Sequence, residues 1–156
     1  MFLSDRVLLH FLRIFFICFA GFCLAQNERL PCQNTEDMTQ LELNECARQE
    51  YLDADRMLNE VYRGIREKHK DDSLFLESLR DAQRAWVAFR DAEMAALFPH
   101  AKEHRYYGSI FPMCWSQHLT RLTRNRIDSL RVWLDGVPEG SVCSGSYPVG
   151  EGERPK

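Results

Sequence analysis

The sequence predicts an all-α fold, in which two long antiparallel helices and a third helix form a small bundle stabilised by disulfide bonds. Three observations support this fold class. Apolar residues recur at helical spacing through three long stretches, no strand-like alternation of useful length follows residue 25, and an even number of cysteines remains beyond that point. We expect one helical domain over residues 26–136 and an irregular tail over residues 137–156, where Gly, Pro and Ser are frequent.

The first 25 residues have the pattern of a signal peptide and are excluded from the fold. Two arginines precede an apolar run over residues 14–25, which is too short to span a membrane, and Ala25 is the small residue expected at the cleavage site. We therefore expect export to the periplasm or the cell exterior, and a mature chain that does not span a membrane. A lipoprotein cleaved before Cys23, or an uncleaved anchor, is the alternative, although bulky Phe22 is unusual before a lipidated cysteine.

The charge of the mature chain argues against nucleic acid as a partner. Removal of the leader leaves 18 basic and 22 acidic residues, a formal charge of -4. Nucleic-acid binding requires an excess of Lys and Arg on one face, whereas a mildly acidic protein modestly favours basic partners. The sequence shows no glycine-rich phosphate loop or serine triad, and we expect no cofactor.

The cysteines predict disulfide bonds. The four cysteines that follow the leader are Cys32, Cys46, Cys114 and Cys143. An even count in a small exported chain is typical of two disulfides, and sequence alone leaves all three connectivities open. A zinc site is the alternative, but no Cys-x-x-Cys or Cys-x-x-His pair is present to build one.

Capping signals and periodicity locate three helices. Thr39 and Glu42 match a capping box, and the first helix is predicted over Gln40–Lys68. Its inward positions are Ala47, Tyr51, Ala54, Leu58, Val61 and Ile65. The second helix is predicted to begin at Asp72 or Ser73 and to end before Pro99. Its predicted buried seam is Leu74 or Phe75, Leu79, Ala82, Trp86, Phe89 and Ala92 or Ala96.

A third helix is predicted between Pro112 and Gly136, lying across the first two. Its inward residues are Leu119, Leu122, Ile127, Leu130 and Trp133. Gly136 and Pro138 are its stop signals.

Several motifs in fixed order resemble the LprI-type lysozyme-inhibitor family of exported bacterial proteins. The motifs are Cys32, Asn-Glu-Cys-Ala at residues 44–47, Asp-x-x-Leu-Asn-x-x-Tyr at 55–62, Ala-Gln-x-x-Trp-x-x-Phe-Arg-Asp at 82–91, Gly-Ser-Ile at 108–110, Cys114, and Leu-Thr-x-x-Arg at 122–126. The resemblance covers roughly residues 32–130. It implies a helical, disulfide-bonded module that binds another protein, with lysozyme as the expected partner, and not an enzyme. The alternative is an envelope interaction module without effect on lysozyme.

The resemblance also implies a disulfide pairing. Members often carry a cysteine three residues after the Arg-Asp pair, where this chain has Met94. Cys114 would then lack its usual partner, and Cys143 could replace it. The pairing expected from the family is therefore Cys32 with Cys46 and Cys114 with Cys143.

A set of polar and aromatic residues on the first two helices is predicted to fix the helix register. The set is Asp55, Asn59, Tyr62, Gln83, Trp86 and Arg90. We expect a half-buried ion pair between Asp55 and Arg90, with the neighbouring groups satisfying the remaining hydrogen bonds. A catalytic pair is the alternative, but buried polar groups need partners whatever the protein does.

The loop between the second and third helices contains two further candidate sites. The sequence His-x-x-Glu-His at residues 100–104 is the inverted zinc-peptidase motif, in which His100 and His104 would bind zinc and Glu103 would act as the base. No third zinc ligand is evident, so a small zinc peptidase is only the third hypothesis for the function. Arg105, Tyr106 and Tyr107 are predicted to form a partner-binding surface, because Arg and Tyr often anchor interfaces. The alternative is that both tyrosines simply pack against the third helix.

Overall fold

The computed structural model describes Cys32 and residues 36–150, so the predicted signal peptide and residues 151–156 lie outside the described part. Three helices make up most of it: α1 (Gln40–Lys68), α2 (Ser73–Leu97) and α3 (Phe111–Asp135). The described residues form no strand, only an isolated bridge between two tail residues. The predicted all-α class is confirmed. None of these three helices is long and apolar enough to cross a membrane.

Helix α1 begins at the predicted capping box. The backbone N–H of Glu42 donates to the Thr39 hydroxyl (3.4 Å), and the backbone N–H of Thr39 donates to the Glu42 carboxylate (2.7 Å). Hydrogen bonds from the Thr39 hydroxyl and backbone lower the pKa of Glu42. The helix ends at Lys68, with Arg66 and Lys68 in its last turn, where positive charge complements the helix dipole. The predicted bounds of this helix are confirmed.

Local signals also define the ends of α2 and α3. The carboxylate of Asp72 accepts from the backbone N–H of Phe75 (2.9 Å) and caps α2. Helix α3 has proline in its first turn and ends at Asp135, followed by the cap residue Gly136, whose φ is +82°. A Cβ atom at Gly136 would lie 2.6 Å from the carbonyl oxygen of Pro148, so this turn requires glycine for space as well as for conformation.

Helices α1 and α3 run parallel to each other, and α2 is antiparallel to both. Near the middle of the pair, Arg124 donates to the Glu50 carboxylate (2.8 Å). At the carboxyl ends, Lys68 donates to the carbonyl oxygen of Leu134 (2.5 Å). The antiparallel arrangement of α1 and α2 is as predicted, but α3 lies alongside α1 and not across the other two helices. Helix α2 packs more sparsely on this pair than the pair packs together.

The core lies between the carboxyl-terminal half of α1, the start of α2 and the end of α3. Its buried members are Leu58, Val61, Ile65, Leu79, Ile127 and Leu130. The half-buried side chains packed around them are Tyr62, Phe75, Trp86, Trp133 and Leu134. All six buried members were predicted to face inward, since each lies at helical spacing in its own stretch.

The predicted buried seam of α2 is partly wrong. Leu79 is buried and Trp86 is half-buried, but Phe89 is 54% exposed, and Ala82, Ala92 and Ala96 are exposed as well. The inward face consists instead of Phe75, Leu79, Gln83, Trp86, Arg90 and Met94. The helix is rotated toward its polar stripe, where Gln83 accepts from Nε of Arg126 in α3 (3.0 Å) and Met94 is 1% exposed.

The tail folds back onto the end of α3. The Trp133 indole N–H donates to the Ser146 hydroxyl (3.1 Å), and the ring of Tyr147 lies 4.8 Å from that of Trp133. The backbone N–H of Val137 donates to the carbonyl oxygen of Pro148 (2.8 Å). These contacts fix the described part of the tail to the carboxyl end of the bundle.

One predicted disulfide is formed and the other is not. Cys32 and Cys46 are bonded, with 5.7 Å between their Cα atoms. Cys114 and Cys143 are free thiols, the first half-buried and the second exposed. Cys114 lies in the first turn of α3, about 28 Å along the helix axis from Trp133, to which the tail is fixed. The chain from Cys143 to Tyr147 spans at most about 14 Å, so the thiols cannot meet while the tail is fixed to Trp133.

Candidate functional site

The loop that joins α2 to α3 presents an exposed tip. Residues 98–110 form successive turns, and Arg105 has a φ of +59°, the one positive value at a non-glycine residue in the described part of the chain. Arg105 is exposed, and Tyr106 is 56% exposed. The left-handed conformation is uncommon for a residue with a long side chain, so the surrounding loop must hold it.

An aromatic cluster packs at the base of this loop, next to the start of α3. Phe98 lies at its centre, with ring centroids 5.4 Å from Tyr107, 5.3 Å from Phe111 and 5.7 Å from Trp115. Tyr107 stacks on Phe111 at 5.2 Å, and its hydroxyl accepts from the backbone N–H of His100 (3.2 Å). The loop is therefore held by its own rings, Phe98 and Tyr107, which pack against rings at the start of α3.

The two tyrosines of the predicted partner-binding surface have different environments. Tyr107 is half-buried and packs against α3, as the structural alternative proposed. Tyr106 instead stacks on the His100 ring at 4.2 Å and stays largely exposed. Arg105 and Tyr106 are thus the parts of this surface that a partner can reach, and their binding role stays a prediction.

A contact from α1 fixes the end of the same loop. The side-chain amide of Asn44 donates to the carbonyl oxygen of Ser109 (3.0 Å). Both residues belong to the motifs quoted above, in Asn-Glu-Cys-Ala and Gly-Ser-Ile respectively. Cys46, two residues further along α1, forms the disulfide with Cys32. The amino-terminal part of α1 therefore makes two stabilising contacts, the disulfide and the hydrogen bond to the loop. Sequence reasoning did not identify this bond, since nothing in either motif names the other as its partner.

The second candidate site is a cleft between α1 and α2. Its volume is about 380 Å³, and all six residues of the predicted polar network line it: Asp55, Asn59, Tyr62, Gln83, Trp86 and Arg90. The prediction that these side chains lie together is therefore correct. They border an open cleft, however, and do not form a closed network.

The predicted ion pair between Asp55 and Arg90 is wrong. Arg90 donates through Nε (2.9 Å) and Nη2 (2.8 Å) to the carboxylate of its neighbour Asp91. The Asp55 carboxylate accepts instead from the side-chain amide of Asn59 (3.2 Å), on its own helix. The Arg90 guanidinium also lies 5.4 Å from the centroid of the Trp86 ring, one turn earlier on the same helix.

Trp86 forms the centre of the cleft wall and has two guanidinium groups near it. Arg126 of α3 lies 6.0 Å from the ring centroid, and Arg90 lies at 5.4 Å. Nε of Arg126 donates to the Gln83 side-chain oxygen (3.0 Å), while its buried Nη2 has no hydrogen-bond partner. Burial lowers the pKa of Arg126. Burial also raises the pKa of Tyr51 at the edge of this region, with the charge of Arg90 opposing the shift.

Further residues contribute to the cleft that the sequence did not single out. They are Leu58, Arg80, Arg84 and Val87. Arg80 and Arg84 are four residues apart on a helix, so they lie on one face, and that spacing could have identified them. Arg126 was quoted only as part of a motif, because its approach to Trp86 depends on how α2 and α3 pack.

The histidine motif does not adopt the helix on which zinc-peptidase ligands are spaced. Residues 99–107 form turns, and Nδ1 of His100 lies 2.6 Å from the Glu103 carboxylate. His104 is exposed. Within the described residues, no group of three or more His, Cys, Asp or Glu side chains is arranged to hold a metal ion.

Comparison with known proteins identifies the family. The model of the lysozyme inhibitor LprI family matches residues 32–130, well over half of the chain. The chain belongs to the LprI family. An uncharacterized protein of Rhizobium meliloti (strain 1021) is 32% identical over 132 residues, covering 78% of this chain and 91% of the relative. No solved structure matches. The region matched by the LprI model contains α1, α2, the loop and most of α3, and so includes both candidate sites.

Proposed function

We propose that this LprI-family protein is an inhibitor of lysozyme that acts in the periplasm or outside the cell. The observation that carries the proposal is the exposed pair Arg105 and Tyr106, raised on a rigid aromatic base in a chain of the lysozyme-inhibitor family. An inhibitor of this kind needs a pre-organised contact surface and no catalytic group, because little ordering entropy is then lost on binding. The disulfide supports an oxidising compartment.

The charges give this surface a specific role. The mature chain is mildly acidic, which attracts a basic lysozyme over long range. At short range, the Arg105 guanidinium can pair with the catalytic carboxylates that glycoside hydrolases use. Tyr106 adds apolar area next to this charge, and such Arg and Tyr anchors dominate the energy of many interfaces.

The test is titration of the oxidised mature protein into lysozymes of several classes, with cell-wall lysis as the readout. We expect stoichiometric loss of lysis with at least one class. Arg105→Asn keeps a residue that tolerates positive φ and removes the charge, so it should weaken inhibition about 30-fold, or about 2 kcal/mol. Arg63→Gln removes the same charge from an exposed position of α1 and serves as the control.

Two outcomes would contradict the proposal. Undiminished lysis with every lysozyme at micromolar protein would favour the envelope interaction module, which binds another partner and leaves lysis unaffected. If the protein inhibits lysozyme but the Arg105 and Arg63 variants inhibit it equally well, the loop is not the contact surface.

A further inference from the structure

The cleft between α1 and α2 has the size and lining of a ligand site that the inhibitor function does not require. Its volume of about 380 Å³ lies within the range of small-molecule pockets. It opens between helices, on the side of the bundle, whereas the loop that carries Arg105 and Tyr106 joins the end of α2 to the start of α3. The inference below does not depend on lysozyme binding.

Positive side chains outnumber negative ones around the cleft. Arg80, Arg84 and Arg90 line it, and Asp55 is the one carboxylate among the lining residues. A recess lined mainly by one sign of charge concentrates its electrostatic field and attracts ligands of the opposite sign. The local charge is therefore suited to an anion, although the chain as a whole is acidic.

The acids that pair with Arg80 and Arg84 lie outside the cleft and are easily displaced, whereas Arg90, whose side chain is 16% exposed, is paired with Asp91 (2.8 Å). Arg80 pairs with Glu77 (3.2 Å) and Asp81 (3.4 Å), and Arg84 is 3.7 Å from Asp81. The side chains of these two acids are 65% and 61% exposed. Exposed ion pairs contribute at most about 1 kcal/mol, so a ligand carboxylate can replace them at little cost.

Arg126 supplies a further positive charge behind the cleft wall. It contacts Gln83 and Trp86, which line the cleft, and it forms no ion pair with any carboxylate in the described residues. Because Arg126 is half-buried, its charge is less screened by water than that of the exposed arginines. This uncompensated charge raises the affinity of the cleft for an anion without direct contact.

The remaining surface of the cleft is apolar and aromatic. Trp86 and Tyr62 present ring surface, and Leu58 and Val87 add aliphatic surface. A bare inorganic anion would leave these groups uncovered. An organic anion would bury them while its charged group met the arginines.

We propose that the cleft between α1 and α2 binds a carboxylate-bearing organic ligand, with Arg80 and Arg84 of α2 contacting the carboxylate and Trp86 packing against the apolar part. Arg126 is a positioning residue, which acts on the ligand through its charge behind Gln83 and Trp86. The carboxylate can come from a small free acid or from the acidic side chain of a bound polypeptide.

Phenylacetate tests the chemistry, with the neutral isostere phenylacetamide as the matched control. Both are titrated to about 20 mM into ¹⁵N-labelled mature protein, since a ligand of this size binds in the millimolar range. The readout is the NMR shift of the Trp86 indole and the Gln83 amide, with the indole assigned by Trp86→Phe. We expect saturable shifts with phenylacetate and at least fivefold smaller ones with the amide. No shift, or equal shifts with both compounds, would overturn the proposal.

Variants locate the binding groups. Arg84→Gln should weaken phenylacetate binding at least threefold without unfolding, because the Arg84 side chain is 74% exposed. Arg124→Gln is the control, since it removes an arginine whose side chain is 59% exposed on the α1–α3 face. Arg126→Gln should also weaken binding, with added salt reducing the difference between this variant and the wild type. Unchanged affinity in Arg84→Gln would overturn the assignment.

A second titration distinguishes the two sources of the carboxylate. N-acetylglutamate amide carries an acidic side chain between two peptide groups and represents a bound polypeptide. Binding at least as tight as that of phenylacetate would identify a polypeptide side chain, and at least fivefold weaker binding would identify a small acid with a larger apolar part. Either result supports the carboxylate site, and lysozyme inhibition is measured separately.

Discussion

Two threonines one turn apart in α3 show how much a single hydroxyl group matters in this bundle. Thr120 and Thr123 are both buried, at 4% and 0% exposure. The Thr120 hydroxyl donates to the carbonyl oxygen of Ser116 (2.9 Å), whereas the Thr123 hydroxyl has no partner. A buried polar group without a partner loses its hydration and gains nothing in return. Identical side chains in one helix therefore make opposite contributions to stability.

Thr123→Val should stabilise the protein by about 1 kcal/mol, because it replaces an unsatisfied hydroxyl with a methyl group of similar size. Thr120→Val is the matched control and should destabilise it by about 1 kcal/mol, since a satisfied hydrogen bond is lost. Urea unfolding of both variants gives the two free energies. Equal effects of the two substitutions would show that the Thr123 hydroxyl has a partner in solution.

The residues of the cleft show what the sequence could predict at this scale. Spacing on two facing helices was enough to bring six polar and aromatic side chains together. The ion partner of Arg90 was not predictable, since Asp55 and Asp91 were both within plausible reach and the choice depends on the guanidinium position over Trp86. The approach of Arg126 to Trp86 was not predictable either, because it depends on how α2 and α3 pack.

At the scale of elements, helix ends were easier to predict than helix faces. For α1, the capping box and the apolar stripe agree, and the bounds are as predicted; of the six predicted inward residues all are buried except Tyr51, which is half-buried. Helix α2 carries two stripes that share Leu79 and Trp86. Apolar content favoured the stripe with Phe89, but the bundle buries Met94 together with the polar stripe. Periodicity in the sequence predicts the spacing of the buried residues. Which face of the helix is buried depends on the helices that pack against it.

The rotation of α2 can be measured with two truncations. Met94 is 1% exposed, so Met94→Ala should destabilise the protein by about 2–5 kcal/mol through lost burial and cavity formation. Phe89 is 54% exposed, and Phe89→Ala should cost less than about 1 kcal/mol although it removes a larger side chain. Thermal and urea unfolding provide the comparison. A greater loss with Phe89→Ala would restore the predicted seam.

At the scale of the whole molecule, the position of the tail determines whether Cys114 and Cys143 can form a disulfide. Family resemblance left Cys114 without its usual partner and made Cys143 the available one. The contacts of Trp133 with Ser146 and Tyr147 fix the tail to the opposite end of α3. No local pattern in the tail predicts these contacts, since they join an irregular segment to one indole ring. The bundle is therefore covalently closed only at its amino-terminal end, within the described residues.

This asymmetry predicts unequal effects of removing cysteines. The Cys32–Cys46 bond closes a loop of 14 residues, so Cys32→Ser with Cys46→Ser should lower the free energy of unfolding by about 3 kcal/mol. Cys114→Ser with Cys143→Ser should change it by less than about 1 kcal/mol, because neither thiol forms a disulfide.

Urea unfolding measures both double variants, and thiol alkylation under denaturing, non-reducing conditions supplies the independent count. We expect two alkylated cysteines in the mature protein, with Cys143 reacting first in the native state because it is exposed. A mature protein with no free thiol, and similar destabilisation in both variants, would show that the tail detaches from Trp133 and reaches the start of α3. The tail contacts would then be secondary to the second disulfide, since only their loss allows Cys143 to approach Cys114.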